Sequence, residues 1–218
     1  MRIPLRRTPA TALLLAAIAA GFLLEIRAGG SADPQALMAL GANQAARVWQ
    51  GEWWRLVASM FLHDGLLHIA FNGWALYQLG SLFELWLGSP RLLLTYFAAG
   101  ISGSLASVLW NTYGGGDPLR PSVGASGAIF GLLGALIAFL LRRRSRLTPL
   151  AKSLLSQLLF WAGINIVMGV SVRLIDNAAH LGGLAAGLVL GLVFRDQRNP
   201  AERPPAPAVS SYPADDGF

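Results

Sequence analysis

Four side chains of this 218-residue chain together carry the parts needed for acyl transfer: Ser126 within Gly124-Ala125-Ser126-Gly127, His180, and the pair His68 and Asn72. A serine hydroxyl attacks a carbonyl carbon only when a base takes its proton, and imidazole is the usual base. The attack creates an oxyanion, and losing one donor aimed at it costs about 2.7 to 4 kcal/mol of transition-state stabilisation. His68 and Asn72 lie four residues apart and so share one helical face, where an imidazole and an amide can act as donors beside the Ser126 backbone N–H at a helix N-terminus. Each residue alone also has an ordinary reading. A serine between glycines is a small packing residue of a membrane helix, and a lone His or Asn hydrogen-bonds a neighbouring helix. The combination is what points to hydrolysis. Cysteine is absent, which removes a thiolate nucleophile, a disulfide framework and any Cys-based metal site, and no metal or cofactor is expected.

The elements that position these residues follow from composition. Charged residues make up 13% of the chain and hydrophobic ones 54%, against about 25% charged in soluble domains. With a mean hydropathy of +0.51, this composition excludes an ordinary soluble enzyme. A bilayer core about 30 Å thick takes about 20 apolar residues per helix. Six stretches approach that length: Thr11 to Ile26, Leu66 to Leu87, Leu92 to Trp110, Ser126 to Leu141, Leu150 to Val170 and Asn177 to Phe194. The first also resembles a secretory signal, but Glu25-Ile26-Arg27 stands where small cleavage-site residues belong, so it is read as a retained helix.

Cytoplasmic loops are enriched in Lys and Arg. With odd-numbered spans running outward, twelve cations fall inside, among them Arg142, Arg143, Arg144, Arg146 and Lys152, and five fall outside: Arg27, Arg47, Arg55, Arg120 and Arg173. Both termini are then cytoplasmic, and the run from Arg142 to Arg146 is a topology anchor rather than a nucleic-acid patch despite a pI near 10.7. Residues 27–65 form an outer loop with interfacial pieces around Ala36-Leu37-Met38, Trp49, Trp53 and Trp54. Residues 1–199 make the membrane domain, and the Pro- and Ala-rich residues 200–218 read as a disordered cytoplasmic tail.

In this topology Ser126, His180, His68 and Asn72 all lie toward the outer side. Gly127 and Gly131 make a small-residue face on the fourth span, and Gly183, Gly187 and Gly191 make another on the sixth. If those faces meet, Ser126 and His180 come within about 2.6 to 3.2 Å. No acidic residue lies within either span, and Asp176 is read as facing water at the boundary, so a Ser-His dyad without an orienting carboxylate is expected. Phe130, one turn after Ser126, is expected to hold the imidazole by ring contact. Gly114-Gly115-Gly116-Asp117-Pro118, Pro121 and Gly124 cannot continue a helix. The fourth span is therefore expected to be short, starting inside the membrane at the bottom of a cavity open to the outer side.

Taken together these residues resemble the rhomboid intramembrane serine proteases. The carrying residues are Trp54-Arg55, His63, His68 to Asn72, Glu84 to Gly88-Ser89, Gly124-Ala125-Ser126-Gly127, and Ala179-His180 with Gly183 and Gly187, covering about residues 50 to 195. The resemblance implies an all-α polytopic membrane protein, a six-transmembrane-helix bundle of the minimal bacterial form, in a bacterial inner membrane. It implies Ser126 as nucleophile, His180 as base, and His68, Asn72 and the Ser126 N–H as oxyanion hole. Trp54 and Arg55 would be structural in the first loop, and His63 structural or hydrogen-bonding. Substrates would be transmembrane segments of other proteins, partners being those proteins and the lipid bilayer, with no nucleic acid. One departure is Phe130, at a position where the family often has Tyr. Two rivals carry less. An inactive client-binding relative would usually lack the serine or the histidine, and a transporter would show repeat symmetry.

Overall fold

The computed structural model describes residues 4–171 and 175–194; the proposed tail at 200–218 lies outside the described residues, as do Arg2, Arg173, Arg195, Arg198 and Arg203 of the charge count. The described residues are helical, apart from turns, loops and an isolated β-bridge between Asn43 and Ser122. In chain order the helices are α1 (Pro9–Ala28), α2 (Pro34–Leu40), α3 (Ala45–Trp49), α4 (Arg55–Ala58), α5 (Leu66–Leu87), α6 (Ser89–Tyr113), α7 (Ser126–Leu141), α8 (Pro149–Ser171) and α9 (Asn177–Val193).

Among the described residues, three helices are long and apolar enough to cross a bilayer: Pro9–Ala28, Ser89–Tyr113 and Pro149–Val170. Helix α5 matches them in length but carries His68, Asn72, Gln78 and Glu84, whereas α7 and α9 are apolar but shorter. The protein is an integral membrane protein. Helix ends differ from expectation by a few residues where prolines intervene. Pro9 occupies the first turn of α1, and Pro90 the first turn of α6, so each helix starts ahead of its apolar run. A single Gly88 at φ 87° turns the chain from α5 into α6.

Helix α7 is the centre of the bundle, with fourteen of its sixteen residues buried. It is apolar all round, as a helix enclosed on every side must be. Helix α9 buries only His180, Gly183, Gly187 and Gly191, a stripe facing α7, while Leu181, Val189, Leu192 and Val193 point outward. The approach is close enough that a Cβ on Gly183 would overlap the Gly127 carbonyl oxygen, and one on Gly187 that of Gly131. Helix α8 packs more loosely, burying Leu155, Leu158 and Ala162 while Leu159, Phe160, Trp161, Val167 and Met168 remain exposed.

Buried carboxylates and one guanidinium join elements far apart in sequence. Glu84 of α5 accepts from the Ala10 and Thr11 backbone N–H groups at 2.9 and 2.8 Å, from Thr11 Oγ1 at 2.7 Å and from Ser89 Oγ at 2.6 Å. It thereby caps α1 from another helix and fixes the corner into α6. Glu25, buried near the end of α1, accepts from the His63 N–H at 2.7 Å. Arg55, 5% exposed, donates to the carbonyls of Met38 and Ala42 at 2.8 and 3.1 Å, pairs with Glu52 at 2.7 Å and lies 4.8 Å from the Trp54 ring centre. The outer loop is thus folded around one guanidinium, which also holds the Glu52 carboxyl below its usual range.

Candidate active site

Ser126 opens α7, and the chain arrives there through an extended segment fastened to the outer loop. Asn43 and Ser122 exchange backbone hydrogen bonds at 2.9 and 2.8 Å, and Gly124 N–H donates to the Ser59 carbonyl at 2.9 Å. Gly124 has φ +126°, a conformation open to glycine but strained for residues with a Cβ. The buried Ala125 follows, and the next residue is the serine. Its backbone N–H lies in the first turn of α7, among the donors that an α-helix leaves unpaired.

His180 is buried in the first turn of α9, with Nε2 2.9 Å from Ser126 Oγ. The packing of Gly183 and Gly187 against Gly127 and Gly131 permits this distance, since a methyl on Gly183 or Gly187 would meet the α7 backbone and hold the two helices apart. Phe130, one turn below Ser126, lies flat under the imidazole with ring centres 4.1 Å apart and planes at 10°. His180 Nδ1 is buried and has no hydrogen-bond partner among the described residues. Among the described residues no carboxylate hydrogen-bonds the ring.

Facing this pair from α5 are His68 and Asn72. A Cβ on Gly124 would stand 2.8 Å from His68 Nε2 and 3.6 Å from Asn72 Nδ2, so both side chains converge on the space beside the segment leading into Ser126. The Asp64 N–H donates to His68 Nδ1 at 3.2 Å. With Nδ1 accepting, the proton of a neutral His68 ring is on Nε2, turned toward that space as a donor. The four residues picked from the sequence thus come from α5, α7 and α9 and meet in one place.

His63 stands edge-on to His68, ring centres 5.2 Å apart, and is fully buried. Burial holds its imidazole down to about 3, so the ring stays neutral. Trp54 and Arg55 belong to the loop scaffold described above, where the guanidinium holds the carbonyls of Met38 and Ala42 and lies against the Trp54 ring.

One reading is refined. Asp176 stands half-buried at the boundary and its carboxylate is engaged: Oδ2 accepts from Ser107 Oγ at 2.5 Å and Ser122 Oγ at 2.7 Å, and Oδ1 caps α9 through the Ala179 N–H at 3.0 Å. The cap was legible, since an Asp immediately before an apolar helix is a standard start signal. The two serines were not, because they come from α6 and from the loop before α7.

The Rhomboid domain family model matches residues 50–197 of the chain. That match covers more than half the chain and includes Ser126, His180, His68, Asn72 and Phe130.

The chain belongs to the rhomboid family.

Similar proteins include rhomboid protease GluP of Bacillus subtilis, 44% identical over 166 residues, which cover 76% of this chain and 31% of that protein. The putative rhomboid protease YdcA of the same organism is 34% identical over 147 residues, covering 67% and 69%. Rhomboid protease AarA of Providencia stuartii is 32% identical over 174 residues, covering 72% and 62%. The chain spans about a third to a half of the length of the first curated relatives it matches.

Proposed function

We propose that this rhomboid is an intramembrane serine endopeptidase that hydrolyses peptide bonds in or near transmembrane segments of other proteins through a Ser126–His180 dyad. The observation that carries the reading is the 2.9 Å approach of His180 Nε2 to Ser126 Oγ at the N-terminus of α7, whose first turn carries no acidic residue. A buried packing serine has no need of an imidazole in line with its hydroxyl. The names of the relatives, GluP and AarA among them, support the same reading.

In the first step Ser126 Oγ attacks the scissile carbonyl while His180 Nε2 takes its proton. Charge develops on the carbonyl oxygen, which points toward His68 Nε2–H, the Asn72 amide and the Ser126 backbone N–H. The imidazolium that forms lies over the face of Phe130, a favourable place for a cation. Collapse of the tetrahedral intermediate returns the proton to the leaving amine and leaves an acyl ester on Ser126. Water then attacks that ester with His180 again as base, releasing the second fragment and restoring the serine.

The remaining topology belongs to the same proposal. Six helices, α1 and α5 to α9, cross the membrane with both termini cytoplasmic, in a bacterial inner membrane. Helix α7, with sixteen residues and a rise of about 24 Å, is shorter than the roughly 30 Å hydrocarbon core. Its N-terminus therefore starts below the outer surface, reached by water through the non-helical residues before Ser126. A substrate helix satisfies its own amides, so its scissile bond must unwind before the serine reaches it. The loosely packed α8 is the side from which such a segment enters.

The test is cleavage of a single-span reporter by purified protein in liposomes. Wild type cuts and Ser126→Ala does not. Equal product from both would overturn the reading, and no cleavage by either would favour a client-binding rhomboid that does not cut.

A further inference from the structure

The proposed dyad joins two elements with no covalent proximity: Ser126 ends a loop and begins α7, while His180 sits in α9, fifty-four residues later. The contacts between glycines set how close the two helices lie, but a smooth glycine face leaves α9 free to slide or turn against α7. Something polar at the outer end has to fix that register, and one group there touches both partners.

We infer that the Asp176 carboxylate is a positioning residue that locks the segment carrying Ser126 to the helix carrying His180; this rests on the protease reading above. Ser122, four residues before Ser126, donates to Oδ2 at 2.7 Å, and the same residue is bridged to Asn43 of the outer loop. Ser107 of α6 donates to the same oxygen at 2.5 Å. The other oxygen receives the Ala179 N–H at 3.0 Å, and the Asp176 carbonyl receives the His180 N–H at 3.1 Å. Asn111 donates to the Ser107 carbonyl at 3.0 Å and to its Oγ at 3.3 Å, which leaves the single hydrogen of that hydroxyl for the carboxylate.

The chemistry of the group explains the choice of residue. An ionised carboxylate accepts only, and here three donors from three separate elements converge on its two oxygens. A helix cap alone needs a single acceptor, which Ser, Thr or Asn supplies equally well. The two serine contacts are in excess of capping, and they reach the loop of the nucleophile and the helix beside it. Asp176 does not touch the imidazole, since His180 Nδ1 has no partner. It holds the two elements in register without hydrogen-bonding the ring, distinct from the carboxylate of a catalytic triad.

The experiment compares wild type, Asp176→Ala, Asp176→Asn, Ser122→Ala and the Asp176→Ala/Ser122→Ala double variant, all full chain in liposomes. It measures kcat and KM for reporter cleavage, the rate of Ser126 labelling by a serine-reactive phosphonate, and thermal unfolding. A displacement of about 1 Å between reacting groups costs on the order of a hundredfold. The expected results are a ten- to hundredfold loss of kcat and of labelling rate in Asp176→Ala, KM within about twofold, and partial recovery in Asp176→Asn. Ser122→Ala leaves the α9 cap intact and is expected to lose about three- to tenfold, with the double variant no slower than Asp176→Ala.

Wild-type rates in Ser122→Ala beside a slow Asp176→Ala would reduce Asp176 to a helix cap and overturn the proposal. Losses that follow unfolding temperature alone would overturn it as well. If wild type itself neither cuts nor labels, the protease reading fails first, a result distinct from all of these.

Discussion

Phe130 and His180 are stacked, ring centres 4.1 Å apart and planes 10° from parallel, so the imidazole is oriented from below by a hydrocarbon face in place of a carboxylate at Nδ1. Ring stacking is worth about 0.5 to 1.5 kcal/mol, which corresponds to as much as about tenfold in rate. Phe130→Ala is expected to lower kcat by about five- to tenfold, and Phe130→Tyr to stay near wild type. Steady-state cleavage in liposomes checks this, and an unchanged Phe130→Ala would remove the ring from the mechanism.

The glycine contacts between α7 and α9 are expected to be as sensitive as the catalytic residues themselves. A methyl on Gly183 or Gly187 overlaps a backbone carbonyl of α7, which cannot rotate away. Gly183→Ala should force the helices apart and lower activity by about a hundredfold, because the Ser126 and His180 atoms must meet within a hydrogen bond. Gly163 of α8, with open space where its Cβ would lie, is the control, and Gly163→Ala should retain activity.

Glu84 accepts four hydrogen bonds that join α1, α5 and the start of α6. Hydrogen bonds to charged groups contribute about 1.5 to 3 kcal/mol each, though not additively. Glu84→Ala should lower unfolding free energy by about 3 kcal/mol in mixed micelles, and Glu84→Gln by less, because it keeps an acceptor for the α1 N-terminus. A denaturation midpoint in Glu84→Ala equal to wild type would contradict the assignment.

The pH profile separates the histidines. His180 must be neutral to take the serine proton, so turnover should fall as pH drops through an imidazole transition. His63 cannot be its source, since burial keeps its pKa at about 3. His63→Gln should therefore leave the midpoint of the activity profile unmoved. His63 bears instead on stability: its folded value lies below the usual 6.5, so the unfolded chain binds the proton more readily and stability falls as pH drops from about 6.5 toward 3. Unfolding measured between pH 7 and 4 should be less pH-dependent in His63→Gln than in wild type.

The parts of the molecule most legible in its sequence were those where lipid makes polarity expensive. Ser126, His68, Asn72 and His180 stood out because little else in their helices is polar, and the glycines around them revealed which faces meet. Family membership was legible from the same residues. The loop chemistry was much less so. Arg55 gathers carbonyls from Met38 and Ala42, contacts made by main-chain atoms that no side-chain pattern encodes. The hydrogen bonds of Asp176 were not legible, because Ser107 and Ser122, its partners, are far apart in sequence and meet only when α6 and the loop before α7 are brought together. Glu25 appeared only as a residue that spoils a cleavage site, whereas in the fold it receives the His63 N–H.

The most direct test of the central claim is identification of the residue that reacts with a serine-directed phosphonate, by mass spectrometry of peptides from wild type, His180→Ala and Ser126→Ala protein in liposomes. The account predicts one adduct, on Ser126, in wild type, labelling slower by about a thousandfold or more in His180→Ala, and none in Ser126→Ala. An adduct on another residue, or labelling of Ser126 at the same rate without His180, would contradict it.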